Sequence, residues 1–461
     1  MITPAIRKKF EAVVSPERLR TSKEDLLSYA YDAYVAEFLP EAVLFPQSTE
    51  EVAGIMKVAS EHRIPVTPRG AGSGLMAGAL AKKGGIVICF TMMNRILEIN
   101  TANRYAIVEP GVVISEFQRE VEKRNLFYPP DPGSATVATM GGAAMMNAGG
   151  MRGVKYGVTR DYLMGMEIVL PSGEIMNIGS RTSKDVTGYD LTRLICGSEG
   201  TLALATQIIV RLLPKPKAKR TLQAIYNRID DAGTTVAKII EAGIIPATLE
   251  LMDRMAIRAI EEFLHLGLPI DAEAVLLIDV DGDPDAVEKE AQTIADFCKM
   301  QGARDVRISQ SEKENEQLWT GRRAAFGAVA RLRPTCVIED ATVPVSYLTA
   351  AIKKVLEITA RHRVQVVVLA HAGDGNLHPL ILCDLRDREE MERVEKAMDE
   401  IVDYALSVGG TLSGEHGIGI AKAKYLPRQI SPTALRMMKA IKKTFDPLGI
   451  LNPGSFLEAV P

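Results

Sequence analysis

Three of the six histidines in this 461-residue chain lie in two short segments framed by glycine, His371-Ala-Gly-Asp-Gly-Asn-Leu-His378 and Gly414-Glu415-His416-Gly417. Two imidazoles and a carboxylate form a ligand set that suits zinc, iron(II) or manganese. A further histidine beside the carboxylate is then available to handle protons, because an imidazole titrates near neutrality. On the residues alone, Glu415 and His416 could exchange these roles, and His416 could also ligate. One histidine in a polar turn needs no function. Several amid this much glycine do, since nothing structural demands both together, and the chain reads as an enzyme.

These residues need elements to carry them. The run Val364–Ala370 has the length and composition of a buried strand ending at the first segment, and an apolar stretch ending near Leu412 delivers the second. Residues 1–40 are polar and helical in pattern, ending at Pro40. Residues 41–215 alternate short β-like runs (Ile86–Phe90, Ala106–Glu109, Met166–Leu170) with helices (Thr49–His62, capped by Ser48 or Thr49, and Ile114–Arg124), amid dense glycine. Pro214–Arg220 is a proline-interrupted basic linker and marks a boundary.

Residues 216–410 keep a β-α-β rhythm. Strands are predicted at Leu222–Tyr226, Ala247–Met252, Val275–Asp279, Val306–Ser309, Cys336–Glu339 and Val364–Leu369. Helices are predicted at Ala232–Ala242, Pro284–Gly302 and Val345–Arg361. The pattern predicts an α+β sheet with helices on one face, and its spacing suggests an internal duplication without a residue-level repeat. Residues 411–461 hold the second histidine segment and a helix over Pro432–Thr444. The acidic run Asp279–Asp285 lacks the glycine and glutamate of a calcium-binding EF-hand. It reads as a strand end followed by Asp283 as helix N-cap and Pro284 at the first helical position.

Composition narrows the classes. With 47% hydrophobic and 25% charged residues and a net charge of −3, the chain reads as globular, with no electrostatic case for nucleic acid. Its five cysteines form no Cys-x-x-Cys pair, which argues against an iron–sulfur cluster or disulfide framework and fits a reducing cytoplasm. No apolar stretch nears the roughly 20 residues that span a bilayer, and Met1–Phe10 is not followed by a secretory apolar segment. A cytoplasmic protein, touching a membrane only through a partner, is expected.

The glycine loops carry the second chemical signal. In Pro65–Gly74, alternate glycines let consecutive backbone N–H groups converge on an anion. Gly72-Ser-Gly-Leu-Met-Ala77 formally fits a dinucleotide fingerprint, but Gly84-Gly85 follows within seven residues where a Rossmann helix would continue. Further glycine-rich segments follow at Asp131–Ser134, Thr139–Gly142, Asn147–Gly150 and Gly197–Thr201. A long, flat, anionic cofactor such as FAD needs many backbone contacts spread over several loops, where side chains would obstruct.

Together, Pro-Arg-Gly-Ala-Gly-Ser-Gly, Asp-Pro-Gly-Ser, Gly-Ser-Glu-Gly-Thr, the two histidine segments and Leu-Asn-Pro-Gly resemble the FAD-linked 2-hydroxy acid oxidoreductases. These belong to the vanillyl-alcohol oxidase superfamily, and their group includes glycolate oxidase FAD subunits and D-lactate dehydrogenases. The similarity runs from about Pro40 to Phe456. It implies an α+β fold: a two-part vanillyl-alcohol-oxidase-type FAD-binding domain, a ferredoxin-like α+β cap, and a C-terminal segment packing back on the FAD domain. It also implies FAD contacts at Arg69, Gly70, Ala71, Gly72, Ser73, Gly74, Pro132, Gly133, Ser134, Thr139, Gly142, Asn147, Gly149, Glu199, Gly200, Leu204 and Asn452. Gly70–Gly74 contains no histidine, so the FAD is expected to be non-covalent. Ser455 stands where many relatives have lysine.

The activity implied is FAD-dependent, metal-assisted oxidation of a small D-2-hydroxy monocarboxylic acid, glycolate or D-lactate, to the 2-oxo acid. A divalent metal chelated by hydroxyl and carboxylate lowers the barrier to removing the hydroxyl proton. The family pattern favours His371, His378 and Glu415 as metal ligands and His416 as general base. Carboxylate capture calls for a cation. Arg322, in Leu318-Trp-Thr-Gly-Arg-Arg323, matches the family's substrate arginine, and Lys422 is a second candidate. Ile338 takes the place of a lysine found in relatives that accept 2-hydroxyglutarate, which favours a monocarboxylate. Electrons must leave to an external acceptor: an iron–sulfur subunit, an electron-transferring flavoprotein, a quinone or oxygen. The alternatives are a D-2-hydroxyglutarate-type dehydrogenase, a flavin subunit without its own substrate chemistry, and a nicotinamide enzyme. The intact histidine cluster counts against the second.

Overall fold

The computed structural model describes residues 2–458 and 460. It divides into two compact units: Met1–Gly149 with Val158–Lys215 and Glu415–Pro461, and Gly150–Gly157 with Pro216–Gly414.

The first unit holds two main sheets. In one, Ala42–Leu44, Ile86–Cys89 and Val66–Arg69 run parallel, and Leu19–Arg20 adds an antiparallel edge. Helix Thr49–His62 lays Val52, Ile55, Met56 and Ala59 into the same core as these strands. Ser48 caps it, its hydroxyl accepting from Glu51 N at 3.3 Å. The other sheet is antiparallel, with Leu204–Arg211 central between Tyr105–Val108 and Leu163–Val169. The N-terminal region is not helical to Pro40. It forms helices Pro4–Val13 and Lys23–Leu27, with the edge strand between them. Phe10, Val14 and Leu19 are drawn into the core, and burying them fixes the chain where propensity alone would extend a helix. At the C-terminal end, helix Pro432–Phe445 leads to Leu451, which bridges Val66. The buried Lys442 ammonium donates to Thr201 O at 2.8 Å and Leu451 O at 2.7 Å, and pairs with Asp446.

The second unit is built on a larger sheet. Its strands Ala218–Tyr226, Thr248–Asp253, Ala274–Gly282 and Asp305–Ile308 lie in spatial order fourth, first, third, second, that of a ferredoxin-like β-α-β-β-α-β unit. Thr335–Ile338, Gln365–His371 and Asn376–Cys383 repeat three of these positions. The suspected duplication therefore exists as topology. The two second strands, Thr248–Asp253 and Gln365–His371, pair antiparallel and join the halves.

Helices cover both faces of this sheet, not one. Leu222, Leu276 and Val368 pack under the helices Ile229–Glu241, Pro284–Met300, Leu348–Arg361 and Arg388–Ser407. Val275, Leu277 and Val367 pack under Arg254–Leu264 and Glu312–Ala330. In the strand Ala274–Gly282 the consecutive residues Ala274 to Ile278 are all apolar and buried, which only two covered faces can satisfy. The basic stretch at the boundary is also more ordered than a linker. Leu213–Pro214 pairs with Leu126–Phe127, and Lys219 and Arg220 lie inside the strand Ala218–Tyr226. Lys219 Nζ meets Asp279 Oδ2 at 2.6 Å, so the acid run opposite offsets the basic one. Asp283 caps helix Pro284–Met300, as expected.

Candidate active site

His371 ends one strand, and His378 sits on the strand that returns after the tight turn through Gly375. In this hairpin His378 stands directly opposite Leu369, which shares a face with His371. The two imidazoles are therefore diagonal neighbours. Their ring centroids lie 4.8 Å apart, edge to face.

The adjoining strands extend this polar row. On one side Glu250 stands opposite His371. On the other, the register of Ile338 with Leu380 and of Ala341 with Leu377 sets Asp340 across from His378. His378 Nδ1 is 3.9 Å from Asp340 Oδ1, and Ser413 Oγ donates to Asp340 Oδ2 at 2.6 Å. Glu250 and Asp340 are fully buried.

Glu250 organises one end. Its Oε1 lies 2.6 Å from His371 Nδ1, and its Oε2 lies 2.6 Å from Arg322 Nη2 and 2.9 Å from Nε. Burial pushes the Glu250 carboxyl up, but the charges of His371 and Arg322 outweigh burial and hold it below the usual carboxylate range. An ionised carboxylate can only accept, so His371 donates from Nδ1, and Nε2 is the nitrogen left to a cation when the ring is neutral. That is the carboxylate–histidine arrangement that orients metal ligands, and the donor set fits a divalent cation.

Arg322 therefore reaches the site from helix Glu312–Ala330 already paired with an acid. Ile338 is half-buried on the same face as His378, two residues before Asp340. Gly414 ends this unit packed on the same floor. A side chain there would come within 2.3 Å of Thr342 Oγ1 and 2.5 Å of Asn376 Nδ2.

In the first unit, Glu415 and His416 are partly buried, with Oε1 and Nε2 3.7 Å apart. Gly149 lies against Glu415. Lys422 is only 2% exposed, so it is no surface lysine.

The residues expected at FAD fall into a few converging loops of this unit. Arg69 ends the strand Val66–Arg69 and leads into Gly70–Gly74. A Cβ at Gly70 would lie 2.4 Å from Thr139 Oγ1, so glycine is required for that close approach. Thr139 caps helix Met140–Met146, accepting from Gly142 N, and Asn147 closes it in the left-handed conformation. Gly197 N and Glu199 N donate to Ala144 O and Met145 O, which brings Gly200 and Leu204 alongside. Asn452 Nδ2 donates to Gly78 O at 3.0 Å and Glu199 O at 2.8 Å. The turn Pro132–Ser134 is anchored through Ala135 O, which accepts from Ser115 N. Arg69 Nη1 is buried without a hydrogen-bond partner, a cation edge suited to a phosphate. The cradle fits an anionic dinucleotide.

Sequence reasoning missed Glu250 and the part played by Asp340. The signal for Glu250 is a lone acid in the apolar strand Thr-Leu-Glu-Leu-Met-Asp; buried charges are rare unless paired. Glu199, expected at FAD, has a carboxyl group that accepts from Ile418 N and Gly419 N, both at 2.7 Å.

Comparison with known proteins follows the same division. Residues 40–179 match an FAD binding domain, and residues 215–456 match the C-terminal domain of FAD linked oxidases. Glycolate oxidase subunit GlcD of Bacillus subtilis is 47% identical over 455 residues, covering 98% of this chain and 97% of its own. The Escherichia coli protein of that name is 39% identical, covering 96% and 89%. D-lactate dehydrogenase of Anaerostipes hadrus is 35% identical, covering 98% and 97%. Among solved structures, p-cresol methylhydroxylase superposes with a TM-score of 0.82 at 18% identity, covering 99% and 98%. The 4-ethylphenol oxidase of Gulosibacter chungangensis gives 0.81 at 19%, covering 99% and 97%. At such identity these two speak for the fold alone. Fold and matches define an FAD-linked oxidoreductase of the vanillyl-alcohol oxidase architecture. The chain belongs to the FAD-linked oxidase family. Among the described residues, no helix is long and apolar enough to cross a membrane.

Proposed function

We propose that this protein oxidises a small D-2-hydroxy monocarboxylic acid, glycolate or D-lactate, to the 2-oxo acid. The observation that carries the reading is the His371–His378 pair, backed by the buried Glu250. The names of the relatives, glycolate oxidase subunit and D-lactate dehydrogenase, supply the substrate class. FAD, held non-covalently in the glycine loops, supplies the hydride acceptor.

His371, His378 and Glu415 would hold a divalent metal (zinc, iron(II) or manganese), which supplies Lewis acidity at the substrate hydroxyl. Glu415 is joined by one peptide bond to Gly414, whose backbone packs on Asn376, two residues from His378. The ring of His416 takes the hydroxyl proton. Arg322 and Lys422 hold the substrate carboxylate. Arg322 does so with donors beyond those given to Glu250, since a guanidinium carries five N–H groups. Ile338 offers no charge to a second, distal carboxylate. The electron acceptor lies outside this chain, in keeping with relatives named as subunits. An iron–sulfur protein or an electron-transferring flavoprotein has the required chemistry.

Anaerobic bleaching of the flavin tests the reading. D-lactate or glycolate should reduce it, while L-lactate and D-2-hydroxyglutarate should be slow, and a chelator should stop the reaction. Reduction indifferent to chelation would remove the metal. His416→Ala should keep its flavin and lose roughly 100-fold or more in reduction rate; a wild-type rate would retire it as base.

A further inference from the structure

Glu199 is the one carboxyl group in the flavin loop Gly197–Thr201, it is buried, and nothing in cofactor binding calls for an acid there. An anionic dinucleotide is better served by N–H groups and cations than by an acid. The residue adopts a left-handed conformation (φ 54°) that non-glycine residues rarely take, while its own amide donates to Met145 O of the helix Met140–Met146.

The carboxylate points at the histidine loop. Oε1 accepts from Ile418 N and Oε2 from Gly419 N, each at 2.7 Å. At the next residue, Met76 O accepts from Ile420 N at 2.9 Å. The backbone two to four residues beyond His416 is thus held by a carboxyl group and a carbonyl, both belonging to the loops that build the flavin cradle. Glu199 is fixed in turn, because its N donates to Met145 O and its O accepts from Asn452 Nδ2.

We infer that Glu199 is a positioning residue: it ties the flavin loop to the His416 loop, so that one rigid backbone frame sets both cofactor and base. The inference rests on the reading of His416 as the base. It explains why an acid occupies a cofactor loop at the cost of burial and a strained φ. Two hydrogen bonds to adjacent amides fix a loop's direction more firmly than one, and small misplacement of a base is costly to rate.

The test joins two readouts on the FAD-loaded full chain. In Glu199→Gln one oxygen becomes an NH2 group facing an N–H donor, so one of the two bonds is lost with little change of shape. Hydrogen exchange at the amides of Ile418 and Gly419 should speed up by roughly tenfold or more, with flavin content unchanged. Unchanged protection there overturns the proposal. Anaerobic flavin reduction by D-lactate or glycolate should slow by roughly ten- to a hundredfold in its limiting rate, with half-saturation little altered. Glu199→Asp, too short to span both amides, should slow it likewise and guards against a folding artefact. The double variant Glu199→Gln/His416→Gln should be no slower than His416→Gln alone. Fully additive losses would mean that Glu199 acts elsewhere, and the proposal fails. A His416→Gln variant that reduces flavin at the wild-type rate would instead bring down the base assignment, and with it any purpose for the tie.

Discussion

The Glu250 carboxyl, enclosed by Arg322 and His371, is held below the usual carboxylate range against its burial, and removing either partner would leave a buried charge costing several kcal/mol. Its hydrogen bond occupies Nδ1 of His371 and leaves Nε2 as the nitrogen open to a cation. Glu250→Gln keeps the volume, loses the charge and leaves Arg322 unbalanced. The variant should hold metal 10- to 100-fold more weakly, while flavin content is preserved. Metal retained after dialysis against graded chelator, with flavin absorbance as control, measures this. Equal retention would show that Glu250 has no part in metal affinity. The same residue marks how far single positions were legible. His371, His378, Glu415 and His416 stand out by type and spacing. Glu250 is one acid in a strand, and its meaning depends on a strand 121 residues away.

At the level of elements, buried acids at strand ends hold helices in place. Asp253 ends the strand Thr248–Asp253 and caps helix Arg254–Leu264, accepting from Ala256 N at 2.8 Å and from Val368 N at 2.9 Å. Burial pushes its carboxyl up to about 6, against these hydrogen bonds. The folded state therefore binds a proton that the unfolded chain has released, in the window from about pH 4 to pH 6. The stability owed to this group is full below that window and is lost as pH rises through it, by about 3 kcal/mol in all. Asp253→Asn, which does not titrate, should thus compare worst with wild type near pH 4 and best above pH 6. Urea denaturation at both pH values checks the sign, and a gap that widens with rising pH would refute it. In the first unit, Lys442→Met would strand Asp446 and strip the donor from Thr201 O and Leu451 O. A loss of about 3–5 kcal/mol is expected, seen as earlier flavin release in urea. Element boundaries were read well where caps are local, as at Ser48 and Asp283. They were misread where packing overrides propensity, as in residues 1–40 and at Pro214–Arg220.

Each unit of the molecule has hydrophobic cores of its own. The single tryptophan, Trp319, is buried in the second unit with Nε1 donating to Asp279 Oδ1 at 2.8 Å. Most of residues 40–179, which match an FAD binding domain, belong to the first. Denaturation followed by tryptophan emission and by flavin release should therefore give two transitions with distinct midpoints, and coincident curves would show one cooperative unit. The sequence by itself determined what is local: the glycine loops, the histidine hairpin and its strands, the helix caps, and the absence of a cysteine cluster. Backbone freedom, period and capping are written in neighbouring residues, so one chain suffices to read them. Only the tertiary structure decided the rest. The strand order that sets Glu250 beside His371, the second layer of helices, and the return of the C-terminal segment that lays Ile418 on Glu199 join residues 121 and 219 positions apart. Such pairings follow from which buried surfaces fit together, and local periodicity carries no record of them.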